Sequence, residues 1–125
     1  MAHSYKDLVA WQKAVDLVTE IYRMTRSFPR DEIYGLTSQL RRAAVSIPSN
    51  IAEGQGRLSK GEFRQFLGQA RGSVLEVETQ TIIARNLGFI EGSAAESTLQ
   101  KSTEVNRILN GLLDSLGTRN SKLET

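Results

Sequence analysis

Residues 39–54 read QLRRAAVSIPSNIAEG. Leu40, Ala44, Ile47 and Ile51 recur at spacings of 4, 3 and 4, which is one stripe of an amphipathic helix. Pro48 interrupts that stripe. It removes the hydrogen bond to the Ala44 carbonyl and crowds the turn, at a cost of about 3 kcal/mol in an ordinary helix interior. Either the helix stops at Ile47, or it bends at Pro48 and runs on to a stop at Gly54 and Gly56. Ile51 keeps the stripe and Ala52-Glu53 is compatible with helix, so a bent, continuous helix is the expected outcome. The bend would free a carbonyl beside Ser46, Ser49 and Asn50. Those side chains can satisfy the released backbone groups. The functional alternative is a polar notch that meets a partner.

The same periodicity extends to either side, and no segment alternates with period two. Before this stretch, Leu8, Trp11, Val15, Val18 and Tyr22 predict a helix over about 5–27, opened by Ser4 with Asp7 and ended by Phe28-Pro29. The proline helix itself is placed at about 32–53, with Asp31 and Glu32 at its start and Ile33 and Leu36 on its apolar face. A third helix, about 60–87, opens on the capping pattern Ser59-Lys60-Gly61-Glu62 and carries Phe63, Leu67, Ala70, Val74, Val77 and Ala84, with Gly88 beyond its end. A fourth, about 94–116, opens on Ser93-Ala94-Ala95-Glu96 and carries Leu99, Val105, Ile108, Leu109, Leu112 and Leu116 up to Gly117. Residues 118–125 read as a polar, frayed tail. Four amphipathic helices with short connections predict an all-α fold, an antiparallel up-down-up-down four-helix bundle in one domain spanning 1–125.

A chain of 125 residues suffices for one domain with a real core. Hydrophobic residues make up 39% and charged residues 24%, which is ordinary for a soluble globular protein. There is no cysteine, so disulfides and thiolate chemistry are excluded. No run approaches the roughly 18 apolar residues of a membrane span, and the N-terminus lacks an apolar signal core. A cytoplasmic protein is the expectation, with no membrane partner. Val9, Ile21, Val45, Phe66, Ile82 and Ile83 fall off the main stripes, and their number predicts a homo-oligomer.

Net charge is +2, but residues 41–71 hold six basic side chains and two acidic ones. This local excess of positive charge nominates Arg41, Arg42, Arg57, Lys60, Arg64 and Arg71 as phosphate contacts on RNA or DNA. The alternative is a solvated face with ion pairs within or between subunits. Arg41 and Arg42 are adjacent, so they point about 100° apart on a helix and cannot both lie on the core stripe with Leu40 and Ala44; at least one flanks it.

Catalysis finds little to work with. The single histidine is His3. The Glu-x-x-His pairs of a di-iron bundle are missing, as is any Ser–His arrangement on the body of the domain. Gly54-Gln55-Gly56 lacks the context of a nucleotide-binding loop. Glu76 and Glu78 are two residues apart and face different directions. A non-enzyme with no cofactor and no bound metal is expected.

Several motifs together resemble a known family. They are Trp11-Gln12-Lys13-Ala14 with Ile21-Tyr22; Phe28-Pro29 followed by Glu32-x-Tyr34-Gly35-Leu36; the block from Gln39 through Arg41-Arg42-Ala43-Ala44, Ser46-Ile47-Pro48 and Asn50-Ile51-Ala52-Glu53-Gly54; Glu62-Phe63 with Phe66-Leu67; and Gly72-Ser73 with Glu76-x-Glu78. In these the chain resembles the bacterial four-helix-bundle proteins encoded in intervening sequences of 23S ribosomal RNA genes. The resemblance implies a ring assembly, with a homopentamer expected. That family is in turn similar to the accessory protein of diversity-generating retroelements, a basic pentameric bundle that binds nucleic acid and its reverse transcriptase. Carried to this chain, the likeness suggests contacts through Arg41, Arg42, Arg57 and Lys60. Two readings follow: an oligomeric bundle that binds RNA or DNA through the basic segment, and a protein-interaction scaffold whose arginines make intersubunit ion pairs.

Overall fold

A computed structural model describes the backbone of residues 4–124 and the side chains of residues 4–117. His3 and Thr125 lie outside the described residues. A short 3-10 turn (Tyr5–Asp7) leads into α1 (Val9–Thr25), and a second (Arg30–Glu32) into α2 (Leu36–Gln55). α3 (Lys60–Asn86) and α4 (Gly92–Glu124) complete the chain. α1 packs on α2, α2 on α3, α3 on α4 and α4 back on α1, while among the described residues the two diagonal pairs do not bring their backbones together. The fold is all-α, an antiparallel up-down-up-down four-helix bundle.

α2 runs through Pro48 without leaving the helix. Pro48 is buried, so the residue that weakens the helix also contributes to its packing. The neighbouring polar groups turn inward onto the backbone. Ser46 Oγ lies 2.7 Å from the Ala43 carbonyl, and Asn50 Nδ2 donates to the Ser46 carbonyl at 2.8 Å. Gly54, read as part of the stop, sits inside α2 and is buried. A Cβ there would meet the Phe66 Cβ at 2.6 Å, so this glycine lets α2 and α3 approach each other.

The helix ends differ from the sequence reading in ways with physical causes. Ser4 caps the first 3-10 turn, accepting from the Lys6 amide, and α1 starts only at Val9. α2 starts at Leu36 because Glu32 Oε1 accepts the Leu36 amide at 2.9 Å. Ser59 caps α3 by accepting from the Glu62 amide at 3.1 Å. Its hydroxyl also lies 3.2 Å from the Glu62 carboxylate. At the other end of α3, the Phe89 amide reaches the Ala84 carbonyl and the Gly88 amide the Arg85 carbonyl. With Gly88 at φ +78, this is a Schellman closure. Ser93 lies inside α4, which begins at Gly92, so it is not a cap. Gly117 has a non-helical backbone, and helix continues beyond it to Glu124.

The core stripe of α1 is shifted by one residue from the one predicted. Ala10, Ala14, Leu17, Ile21 and Met24 are buried. Leu8, Trp11 and Val18 are partly buried against them, and Tyr22 is exposed. The small alanines are buried completely, and the bulkier residues flank them. Ile21 therefore belongs to the core and not to the off-stripe set. On the other helices the stripes hold at Leu40, Ala44, Ile47, Ile51, Leu67, Ala70, Val74, Val77, Ala84, Val105 and Leu109. Thr81, Thr98 and Ser102 are also fully buried, a polar insertion that apolar periodicity does not reveal.

Candidate functional site

The six nominated basic residues do not form one surface. Arg41 turns toward α1. Its Nε donates to Thr25 Oγ1 at 2.8 Å, and its guanidinium lies over the Tyr22 ring at 4.6 Å. Arg42, one residue on, lines a different seam, between α2 and α3. Arg57 lies fifteen residues further along the sequence, about 20 Å away at the helical rise. It pairs with Glu53 at 2.8 Å and lies over the Phe66 ring at 4.7 Å.

Lys60, Arg64 and Arg71 stand on one face of α3, because spacings of four and seven residues return to the same side of a helix. All three are exposed. They form no ion pair or hydrogen bond among the described residues. Arg64 crosses the break in α4: a Cβ on Gly117 would lie 3.0 Å from its Nε. The structure thus gathers Arg57, Lys60 and Arg64 around the α2–α3 connection. It places Arg41 and Arg42 nearer the other end of the bundle.

The α2–α3 seam holds the second feature. Gln39, Arg42, Ala43 and Ser46 from α2 and Glu76 from α3 line a cleft of about 320 Å³. Beside it, Ser46 Oγ and Ser73 Oγ are 2.6 Å apart, tying the two helices together at that level. In the sequence Glu76 was legible as half of a carboxylate pair and as part of a family motif, not as a partner of the proline helix. Its position opposite Arg42 depends on the register of α2 against α3.

The outer face of α3 is the third feature. Gly61, Gly68 and Gly72 have nothing among the described residues within 4 Å of where a Cβ would stand. Leu75, Ile82 and Ile83 follow on the same helix and are 48%, 37% and 41% exposed. Among the described residues there is no group of acidic, histidine or cysteine side chains that could hold a metal ion, and no helix long and apolar enough to cross a membrane.

A family model described as 23S rRNA-intervening sequence protein matches residues 6–111 of this chain. Its fold is also similar to the crystal structure of a protein of unknown function from the S23 ribosomal protein family of Bacteroides thetaiotaomicron. That chain is 23% identical, and the match covers 84% of this chain and 98% of the other at a TM-score of 0.79. At that identity the likeness speaks for the fold alone. No curated protein matches the chain.

Proposed function

The chain belongs to the 23S rRNA-intervening sequence protein family, and from that premise we propose that it works as a non-catalytic, self-associating helical scaffold in the cytoplasm. The observation that carries this reading is the outer face of α3. Glycine inside a helix is destabilising by roughly 0.5–1 kcal/mol relative to alanine. Gly54 offsets that cost by admitting Phe66. Gly61, Gly68 and Gly72 meet nothing among the described residues, which leaves room there for a second chain. Small residues beside the half-exposed Leu75, Ile82 and Ile83 suit the close approach of a helix from a second copy. A ring of five copies is the size that the family resemblance leads us to expect.

Light scattering on the purified protein tests the reading. A mass of five times the 13.9 kDa chain is expected, and Leu75→Glu/Ile82→Glu is expected to reduce it to the monomer with helical circular dichroism retained. A wild-type protein that is monomeric across the accessible concentrations would sink the proposal.

A second reading is favoured by Lys60, Arg64 and Arg71, exposed on one face of α3 and without partners among the described residues. Such a row suits the phosphate backbone of RNA or DNA. Similarity of the family to the accessory protein of diversity-generating retroelements supports the same reading. Arg57 stands at its edge, already engaged by Glu53 and Phe66.

A further inference from the structure

The cleft between α2 and α3 joins two stretches of sequence that are distant in the chain. Gln39, Arg42, Ala43 and Ser46 come from the proline helix. Glu76 comes from α3, one turn beyond Ser73. All of them belong to the motifs that carry the family resemblance, and the fold brings them to one place.

Its lining carries both signs of charge. Arg42 and Glu76 line the same cleft with opposite charges, yet they do not pair with each other within 4 Å. Neither makes a hydrogen bond or ion pair among the described residues. The charge on α2 and the opposite charge on α3 are both left available to a ligand. A guanidinium is best matched by a carboxylate, which it holds bidentately. A glutamate carboxylate is matched by an ammonium or guanidinium group.

Nucleic acid fits this place poorly. Glu76 repels a phosphate backbone, and no aromatic ring stands among the lining residues to stack a base. The volume, at the low end for ligand sites, suits one or two side chains. On α3 the cleft borders the proposed self-association face: Glu76 lies four residues after Gly72 and seven before Ile83, on the same side of the helix. The rest of its lining comes from α2.

We propose that the cleft docks a segment of a partner polypeptide that presents one carboxylate and one cationic side chain, with Arg42 taking the first and Glu76 the second. The inference rests on the scaffold reading and names the chemistry of what the scaffold holds.

Amide NMR spectra of the full chain would test it, with blocked helical peptides as probes. One peptide carries Glu and Lys four residues apart, a second carries two Glu, and a third carries two Lys. A single-stranded oligoribonucleotide is the fourth probe. The mixed peptide alone is expected to shift the signals of Arg42, Ser46, Ser73 and Glu76. Arg42→Glu or Glu76→Lys should weaken it by about tenfold, the loss of one charge-assisted hydrogen bond. The double exchange Arg42→Glu/Glu76→Arg should restore binding, because the mixed peptide can lie in the opposite direction. Absence of shifts at these residues overturns the proposal. So does an equal response to the two-Glu peptide or to the oligoribonucleotide, which would make the cleft a plain anion site. Mass measured on the same samples separates the two readings: a monomer that still responds sinks the ring and spares the cleft, and an intact oligomer without shifts does the reverse.

Discussion

Arg41 and Thr25 lock α2 to the end of α1. The Thr25 hydroxyl donates to the Ile21 carbonyl at 2.8 Å and accepts from Arg41 Nε at 2.8 Å. A helix C-terminus leaves carbonyls unsatisfied and carries partial negative charge. A guanidinium brought there by a neighbouring helix answers both needs, and the Tyr22 ring beneath it adds a cation–π contact.

Replacing Arg41 with alanine is therefore expected to destabilise the fold by about 1–2 kcal/mol. The corresponding fall in melting temperature is about 5 °C, read by circular dichroism. Oligomer mass should stay unchanged. A variant that melts like the parent but falls apart in light scattering would move Arg41 to an intersubunit contact.

Two glycines should respond in opposite directions to the same substitution. Gly54→Ala places a methyl group 2.6 Å from the Phe66 Cβ and should destabilise by about 1–3 kcal/mol. Gly68→Ala adds a methyl group in open space and should favour the helix by roughly 0.5–1 kcal/mol. If the α3 face associates, Gly68→Ala also lowers the oligomer mass at limiting concentration. Chemical denaturation and light scattering on both variants read the two effects separately.

Thr81 is fully buried and its hydroxyl has no hydrogen-bond partner among the described residues. Removing an unsatisfied polar atom relieves a desolvation penalty of about 1–3 kcal/mol. Thr81→Val should raise the denaturation midpoint without altering mass. A loss of stability would reveal that the hydroxyl is satisfied, by water or by a subunit neighbour.

The nucleic-acid reading makes its own demand. Affinity for a fluorescent oligoribonucleotide should fall linearly in log salt, with a slope set by the phosphates neutralised. Lys60→Glu/Arg64→Glu should flatten that slope by about two contacts, while Arg41→Ala should leave it unchanged. Equal binding by the Lys60/Arg64 variant and the parent would remove this face from consideration.

Much of the fold was legible before any coordinates. Period-3.6 stripes located four helices, and the continuation of the stripe to Ile51 carried α2 across Pro48. The α1 stripe was misplaced by one residue because Ala10 and Ala14 give a weak hydrophobic signal, although their size is what admits the neighbouring helix. Thr98 and Ser102 were invisible as core residues for a related reason. Their hydroxyls are satisfied, that of Ser102 within α4 by the Thr98 carbonyl and that of Thr98 across the bundle by Glu20 of α1, and pattern alone cannot register that.

The candidate site was less legible. Sequence supplied the cations and the separation of Arg41 from Arg42 by about 100° of helix, since both follow from composition and helix geometry. It did not say which neighbour each arginine would meet. That depends on the register of helix against helix, set where Gly54 admits Phe66 and where Ser46 meets Ser73. Local chemistry determined the elements of this protein. Only the packing of those elements decided that Arg41 would close α1, that Arg42 would share a cleft with Glu76, and that one face of α3 would remain uncovered.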